Sequence, residues 1–249
     1  LKAAGDSMSQ PEKYAHHNIS GTIQLLNAAT ESGVRYVIFS STAAVYGDPQ
    51  YTPMDEEHPT KPSNFYGYTK LAIEELLGWY AHLKGMRFAS LRYFNAAGYD
   101  LDGKIKGLES EPNNLLPIVM EAVIGKRPFV EVFGTDYNTP DGSCIRDYIH
   151  VNDLADGHVR ALEYLTRETD NPILNLGTSN GMSVLEILEH TKNLSHSNFD
   201  VRFGSRRLGD PAIVLAKADK AKSLLGWEAK RSDPKPLINS MLNVYRATN

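Results

Sequence analysis

Apolar residues recur three and four apart between Pro11 and Ser32, where Ile19, Ile23, Leu25 and Leu26 form a stripe. That period predicts a helix, with Ser9 as its cap and Gly33 as its stop. A β-branched and aromatic run, Tyr36-Val37-Ile38-Phe39, predicts a buried strand that ends in the polar Ser40-Ser41-Thr42. A loop rich in Pro, Asp and Glu covers residues 48–64. A second helix is predicted from Tyr66 to Lys84, stopped by Gly85, and a second strand from Arg87 to Phe94, ending in Asn95-Ala96-Ala97-Gly98.

Strand, helix and strand joined by short turns describe a parallel sheet with helices on its faces. Ligands of such sheets bind beyond the carboxyl ends of the strands. Ser40–Thr42 and Asn95–Gly98 are therefore candidate site segments.

Beyond Gly98 the rhythm is less regular. Pro112 to Pro117 opens a helix that closes at Gly125, and Val130–Phe133 is a strand leading into a turn-rich stretch, 134–143. A helix starts near Asn152-Asp153, a strand covers Ile173–Leu176, and helices are expected near 183–193, 218–225 and 236–247. These irregular connections suggest a smaller lobe.

Composition narrows the classes. At roughly 150 residues per domain, 249 residues make one domain or one and a half. Against 30 Asp+Glu there are 26 Lys+Arg, a net charge of −4 with no basic block, which argues against a nucleic-acid partner. No apolar run approaches the length of a membrane helix, and the first residues lack the pattern of a signal peptide. The single Cys144 cannot form an internal disulfide and no Cys/His group has zinc spacing, so a reducing cytoplasm and no metal are expected.

The sharpest local chemistry is Tyr66-Gly67-Tyr68-Thr69-Lys70. Tyr66 and Lys70 share a helix face with Cβ atoms about 6 Å apart, close enough for the ammonium to lower the phenol pKa toward working pH. A phenol so tuned can take a proton from a sugar hydroxyl and return it. The same spacing also suits an amphipathic helix with an incidental Tyr and a solvated Lys.

The order of segments adds a resemblance. A Ser/Thr cluster at a strand end, a loop, then Tyr-x-x-x-Lys at a helix start is the order of short-chain dehydrogenases/reductases. Phe39-Ser40-Ser41-Thr42-Ala43-Ala44-Val45-Tyr46-Gly47-Asp48 resembles their extended, nucleotide-sugar branch. Further matches follow: Leu91-Arg92-Tyr93-Phe94-Asn95, Pro112-Asn113-Asn114-Leu115, Arg146-Asp147-Tyr148-Ile149-His150-Val151, Asn175-Leu176-Gly177, and Arg206-Arg207-Leu208-Gly209-Asp210-Pro211-Ala212. As an ordered set they resemble the UDP-glucose 4-epimerases over essentially the whole chain.

The resemblance implies an α/β fold: a partial Rossmann-type doubly wound parallel sheet with a smaller α+β substrate-binding lobe. Residues 1–97 would be the later part of the NAD-binding domain. Residues 98–249 would be mainly the UDP-sugar lobe, with segments near 145–177 returning to the sheet. None of the 19 glycines forms the Gly-rich loop that seats a dinucleotide pyrophosphate. Lys2 aligns inside the family's first domain, so roughly 80 residues of its pattern would precede Leu1.

The implied chemistry is oxidation at C4 of the sugar with bound NAD, rotation of the 4-keto sugar, and return of the hydride. Tyr66, Lys70 and Thr42 would be catalytic. Lys2, His17, Ser40, Thr42, Tyr66, Lys70, Tyr93 and Phe94 would contact NAD. Thr42, Tyr66, Asn95, Asn114, Leu115, Phe133, Arg146, Arg207 and Asp210 would contact the UDP-sugar. Ala43 and Ala44 stand where dehydratase relatives carry acidic residues, which favours an epimerase. For Arg146 and Arg207 the residues alone leave an ion pair with Asp147 or Asp210 open, and for Phe133 a plain core role. His150 and His158 are expected to be structural.

Three functional readings remain at this point. The chain is part of an active UDP-glucose/UDP-galactose epimerase of galactose metabolism, a non-catalytic remnant binding UDP weakly, or an epimerase for UDP-N-acetylglucosamine, UDP-glucuronate or a UDP-pentose. Val214, bounding the expected sugar pocket, bears on the last. The 249 residues alone are expected to bind little NAD. By resemblance the two long helices pair across a two-fold in a homodimer.

Overall fold

The computed structural model describes residues 1–207 and 209–248. The first part of the chain holds α1 (Ala4–Ser9), α2 (Pro11–Tyr14), a π-helical turn (Ala15–Ser20), α3 (Gly21–Glu31), β1 (Tyr36–Thr42), α4 (Phe65–Lys84) and β2 (Arg87–Tyr93). Then come β3 (Asn95–Ala97), α5 (Leu115–Val123), β4 (Phe129–Phe133), β5 (Ile145–Arg146), β6 (Tyr148–His150), α6 (Val151–Arg167) and β7 (Ile173–Leu176). The rest comprises β8 (Met182–Ser183), α7 (Val184–Ser195), β9 (Asp200–Gly204), β10 (Ile213–Val214), α8 (Asp219–Leu225) and α9 (Pro234–Ala247).

These elements divide between two compact units. One is Leu1–Phe94 with Asp156–Leu176 and Lys217–Trp227; the other is Asn95–Ala155 with Gly177–Ala216 and Glu228–Asn249. Asn249 and Leu208, the latter inside the Arg-Arg-Leu-Gly-Asp motif, lie outside the described residues.

The first unit is built on a parallel sheet in the order β1-β2-β7. Tyr36 pairs with Arg87 and the register runs to Thr42 opposite Tyr93, which in turn lies beside Leu176. The carboxyl ends of the three strands thus fall in one row. Its apolar centre is Leu26, Ile73, Leu77, Met86 and Phe88. Each fully buried aliphatic side chain there contributes about 1.5–3 kcal/mol. Asn64 caps α4, its Oδ1 accepting from the Gly67 N–H at 2.9 Å, and Gly85 closes the helix at φ 68°.

Several expectations change here. The single helix from Pro11 is a series of pieces that begins at Ala4. Pro11 opens α2 without an N–H to give, and Ser9 caps nothing, its hydroxyl donating to the Asp6 carbonyl at 3.1 Å. Leu26 is buried, whereas its neighbour Leu25 is 67% exposed and leaves the stripe. The first strand ends at Ser40–Thr42 as expected, whereas Asn95–Ala97 form a strand of their own.

In the second unit β3 pairs in parallel with β6 and β4 with β9, while β5 lies between β10 and β8. Helices α5, α7 and α9 pack around Leu116, Val119, Met120, Ile187, Leu237 and Met241. Ser183 and Glu186 form a reciprocal capping box at the start of α7. Among the described residues no helix is long and apolar enough to cross a membrane.

Candidate functional site

In the first unit the candidates gather at the carboxyl end of β1. Thr42 is almost fully buried, and its Oγ1 accepts from the Ala44 N–H at 3.2 Å, turning the chain into a short 3-10 segment. Gly67 lets the first turn of α4 close on that segment. A Cβ at Gly67 would sit 2.4 Å from the Ala44 carbonyl oxygen, so only glycine fits. Tyr66 is thereby held beside Thr42, with its N–H donating to Ser7 Oγ at 2.9 Å.

One turn later, Lys70 Nζ donates to the Ser40 carbonyl at 3.0 Å and lies 4.8 Å from the Phe39 ring centroid and 6.0 Å from that of Tyr66. No carboxylate among the described residues pairs with it. Ser40 Oγ is 2.9 Å from Nε2 of His158, whose ring lies 6.3 Å from Tyr93.

The electrostatics correct one expectation. Burial raises the Tyr66 phenol above its ordinary value, and a hydrogen bond from the Thr42 side chain opposes that shift. Burial lowers the Lys70 ammonium. Lys70, whose Nζ stands 6.0 Å from the ring centroid, does not offset the effect of burial on the phenol. Both groups are pushed toward their neutral forms, one as acid and one as base.

Lys2 and His17 are exposed, His17 meeting only the edge of the His16 ring at 5.2 Å. Its neighbour Asn18 is the buried one, donating to Thr69 Oγ1 on α4 at 3.0 Å. Phe94, half-buried, follows β2 directly.

The second unit holds a cavity of about 180 Å³, lined by Asn95, Asn114, Leu115, Phe133, Arg146 and Arg207 among others. Asn114 precedes α5, so the free backbone N–H groups of its first turn face this region. Arg146 pairs with Asp210 Oδ1, and Arg207 lies 3.3 Å from Asp210 Oδ2. That second oxygen is buried and accepts no hydrogen bond, as is the hydroxyl of Tyr137. The ion pair that the residues left open is therefore made, with Asp210 and not with Asp147. The Arg207 guanidinium also stands 4.8 Å from the Phe133 ring centroid, and Phe133 is half-buried rather than core.

Asp147 does something else. Its carboxylate accepts from Thr178 N at 2.8 Å, Thr178 Oγ1 at 2.9 Å, and the Ser179 and Ala216 N–H groups at 3.2 Å. Its carbonyl accepts from Asn95 N and Nδ2 at 3.0 and 3.2 Å. It holds Asn95 and Arg146 in register while lying wholly buried. His150 is likewise enclosed, bonded to the Asn152 N–H and beside Ser240.

Sequence reasoning missed Ser7, Asn64, Gly67 and Asp147. Asn64 carried a readable signal, a capping residue directly before the helix. The others act through contacts far apart in sequence.

A sequence profile of the NAD dependent epimerase/dehydratase family matches residues 1–177. The chain is 42% identical over 242 residues to the UDP-glucose 4-epimerase of Halalkalibacterium halodurans, covering 97% of this chain and 72% of that one. It is similar to the crystal structure of the UDP-glucose 4-epimerase from Brucella ovis in complex with NAD, with TM-score 0.96 and 40% identity over 98% of this chain and 75% of that one. The Bifidobacterium longum UDP-glucose 4-epimerase in complex with NAD+ and UDP matches with TM-score 0.91 and 36% identity, over 100% and 74%.

Proposed function

The chain belongs to the NAD dependent epimerase/dehydratase family, and from that premise we propose that it interconverts UDP-glucose and UDP-galactose by oxidation and re-reduction at C4 of the sugar. NAD supplies the hydride acceptor and donor when bound. The residues present suit it. Lys70 is half-buried with a single hydrogen bond among the described residues, so as an ammonium it has two N–H donors left for ribose hydroxyls. Ser40, Tyr93 and Phe94 stand at the ends of the same strands. Lys2 and His17 belong to this assignment by alignment alone.

Tyr66, as the phenolate, takes the proton of the 4-hydroxyl to become the phenol, and returns it when the hydride returns. Thr42 favours the phenolate by its hydrogen bond and orients the sugar hydroxyl.

The second unit grips the nucleotide. Arg146 and Arg207 turn their forked donors to the diphosphate, joined by the N–H groups at Asn114 and Leu115. Phe133, half-buried in the cavity wall, packs against the uracil. Asp210 Oδ2, lacking a donor, accepts from the uridine ribose, and Asn95 contacts the sugar. Val214, half-buried beside Arg146, bounds the sugar pocket. The reaction serves galactose metabolism in the cytoplasm, a reducing compartment where the unpaired Cys144 is at home.

The observation that carries this reading is the meeting of Thr42, Tyr66 and Lys70 at the end of β1. The protein incubated with UDP-glucose and NAD should yield UDP-galactose, followed by proton NMR, with no net NADH. Tyr66→Phe should keep UDP binding and lose turnover by about 100-fold or more. Full turnover in that variant, or action on UDP-N-acetylglucosamine alone, overturns the assignment.

By the same family resemblance, a second copy of the chain pairs with α3 and α4, where Leu25, Trp79 and Leu83 are 67%, 62% and 65% exposed and would be covered by it. Light scattering at the monomer mass would exclude this homodimer.

A further inference from the structure

Tyr66, Lys70 and Glu74 follow one another a turn apart along one face of α4. The first two carry the proposed chemistry. The third is deeply buried. Glu74 Oε1 accepts from Ser41 Oγ at 2.5 Å and from Arg92 Nε at 3.0 Å, and Oε2 takes Arg92 NH2 at 2.5 Å. Ser41 is 1% exposed, and Glu74 and Arg92 4% each. Arg92 lies on β2 and stands 4.9 Å from the ring of Tyr46, whose hydroxyl donates to Asn175 Oδ1 at 2.6 Å.

We propose that Glu74 is a positioning residue for the reaction. Through Ser41 and Arg92 it fixes the height and rotation of α4 against β1, and with them the approach of Tyr66 and Lys70 to Thr42. This rests on the epimerase reading of the same residues.

Stability alone gives no reason for the ion pair. Removing two charges from water costs about as much as their attraction returns, and apolar residues of similar volume often do as well. What a Leu and a Met could not supply is direction. A bidentate arginine–carboxylate pair plus a serine donor orients the carboxylate about all its axes. The choice of Ser41 also fits. Alternation along the strand sends its side chain to the face opposite those of Ser40 and Thr42, so the bond to Glu74 does not compete with theirs. Helix α4 is thus located twice, by the Gly67–Ala44 contact at its start and by Glu74 two turns on, with Lys70 between.

The test compares the wild-type protein with Glu74→Gln and with the double variant Glu74→Leu/Arg92→Met. Melting temperature, UDP affinity, kcat and KM are measured, with hydrogen exchange at the Ala44 amide, which donates to Thr42. The double variant should melt near the wild type and keep UDP affinity and KM. Its kcat should fall about 100-fold, the cost of an ångström-scale misplacement, and Ala44 should exchange faster. Glu74→Gln, which keeps an acceptor for Ser41, should lose less kcat. Full kcat in the double variant overturns the proposal, as does a kcat loss in both variants no greater than their loss of folded protein. If the wild type itself fails to act on UDP-glucose, the functional reading falls, and the exchange rates still decide whether Glu74 orders the end of β1.

Discussion

Gly67 approaches Ala44 so closely that a methyl group on the glycine would lie 2.4 Å from the alanine carbonyl oxygen. The contact locks the helix turn bearing Tyr66 onto the segment that follows Thr42. Gly67→Ala must push the two apart, at about 1–3 kcal/mol for overpacking. Because Tyr66 moves with the turn, kcat should fall by more than the stability loss explains. Urea melts and steady-state kinetics together check this, and an alanine variant with normal kcat refutes it.

Thr42 and Tyr66 give a prediction with a definite sign. Burial holds the phenol above its ordinary pKa of 10.0, and the Thr42 hydrogen bond is what restrains the rise. Thr42→Val removes the restraint, so Tyr66 should titrate higher still in protein without added cofactor. Carbon-13 NMR of labelled tyrosines, assigned with Tyr66→Phe, reads this directly. A downward shift would show that the threonine favours the phenol instead.

The two arginines should differ in weight. The Arg146 side chain is 14% exposed and that of Arg207 61%. Arg146→Ala strands a largely buried Asp210 and should cost about 2 kcal/mol or more of UDP affinity, near 30-fold. Arg207→Ala, losing a solvent-screened pair and a stacking contact, should cost about 1 kcal/mol. Calorimetry with UDP orders them, and the reverse order would reassign the clamp.

Glu121 makes the second unit sensitive to acid. Burial works to raise its carboxyl, but hydrogen bonds and charge from Lys126 and Arg127, each 2.6 Å away, outweigh that and hold it below the ordinary 4.5. A depressed carboxyl stabilises the folded state above its unfolded pKa, and the contribution is lost as pH falls through the folded value. Stability should therefore decline below about pH 5, and Glu121→Gln should be weaker at pH 7 with a shallower decline. Parallel melts from pH 7 to pH 3 test both slopes.

Elements carried by repetition were legible in the chain. The run Tyr36–Phe39 and the helix that Gly85 stops announce themselves because period and stop are local signals. Short strands such as Ile145–Arg146 and Ile213–Val214 do not, since two residues carry no period and form only because they meet each other. The same distinction governs the sites. Tyr66 and Lys70 stand out because their spacing is chemistry on one helix. Asp147 and Glu74 are ordinary acids in sequence, and their partners lie 18 to 69 residues away. The pKa of Tyr66 escaped for a related reason: spacing places an ammonium nearby, but only the fold shows that burial outweighs it.

Each unit is assembled from three separate stretches, and the chain passes from one unit to the other after Phe94, Ala155, Leu176, Ala216 and Trp227. During synthesis, then, neither can be completed before the other has begun. The β1-β2-β7 sheet lacks its third strand until residue 176 has left the ribosome, and α9 closes the second core only after residue 247 has followed. Until then both expose apolar faces. Exposed apolar surface and unpaired strand edges of that kind are what make incompletely folded chains prone to aggregate.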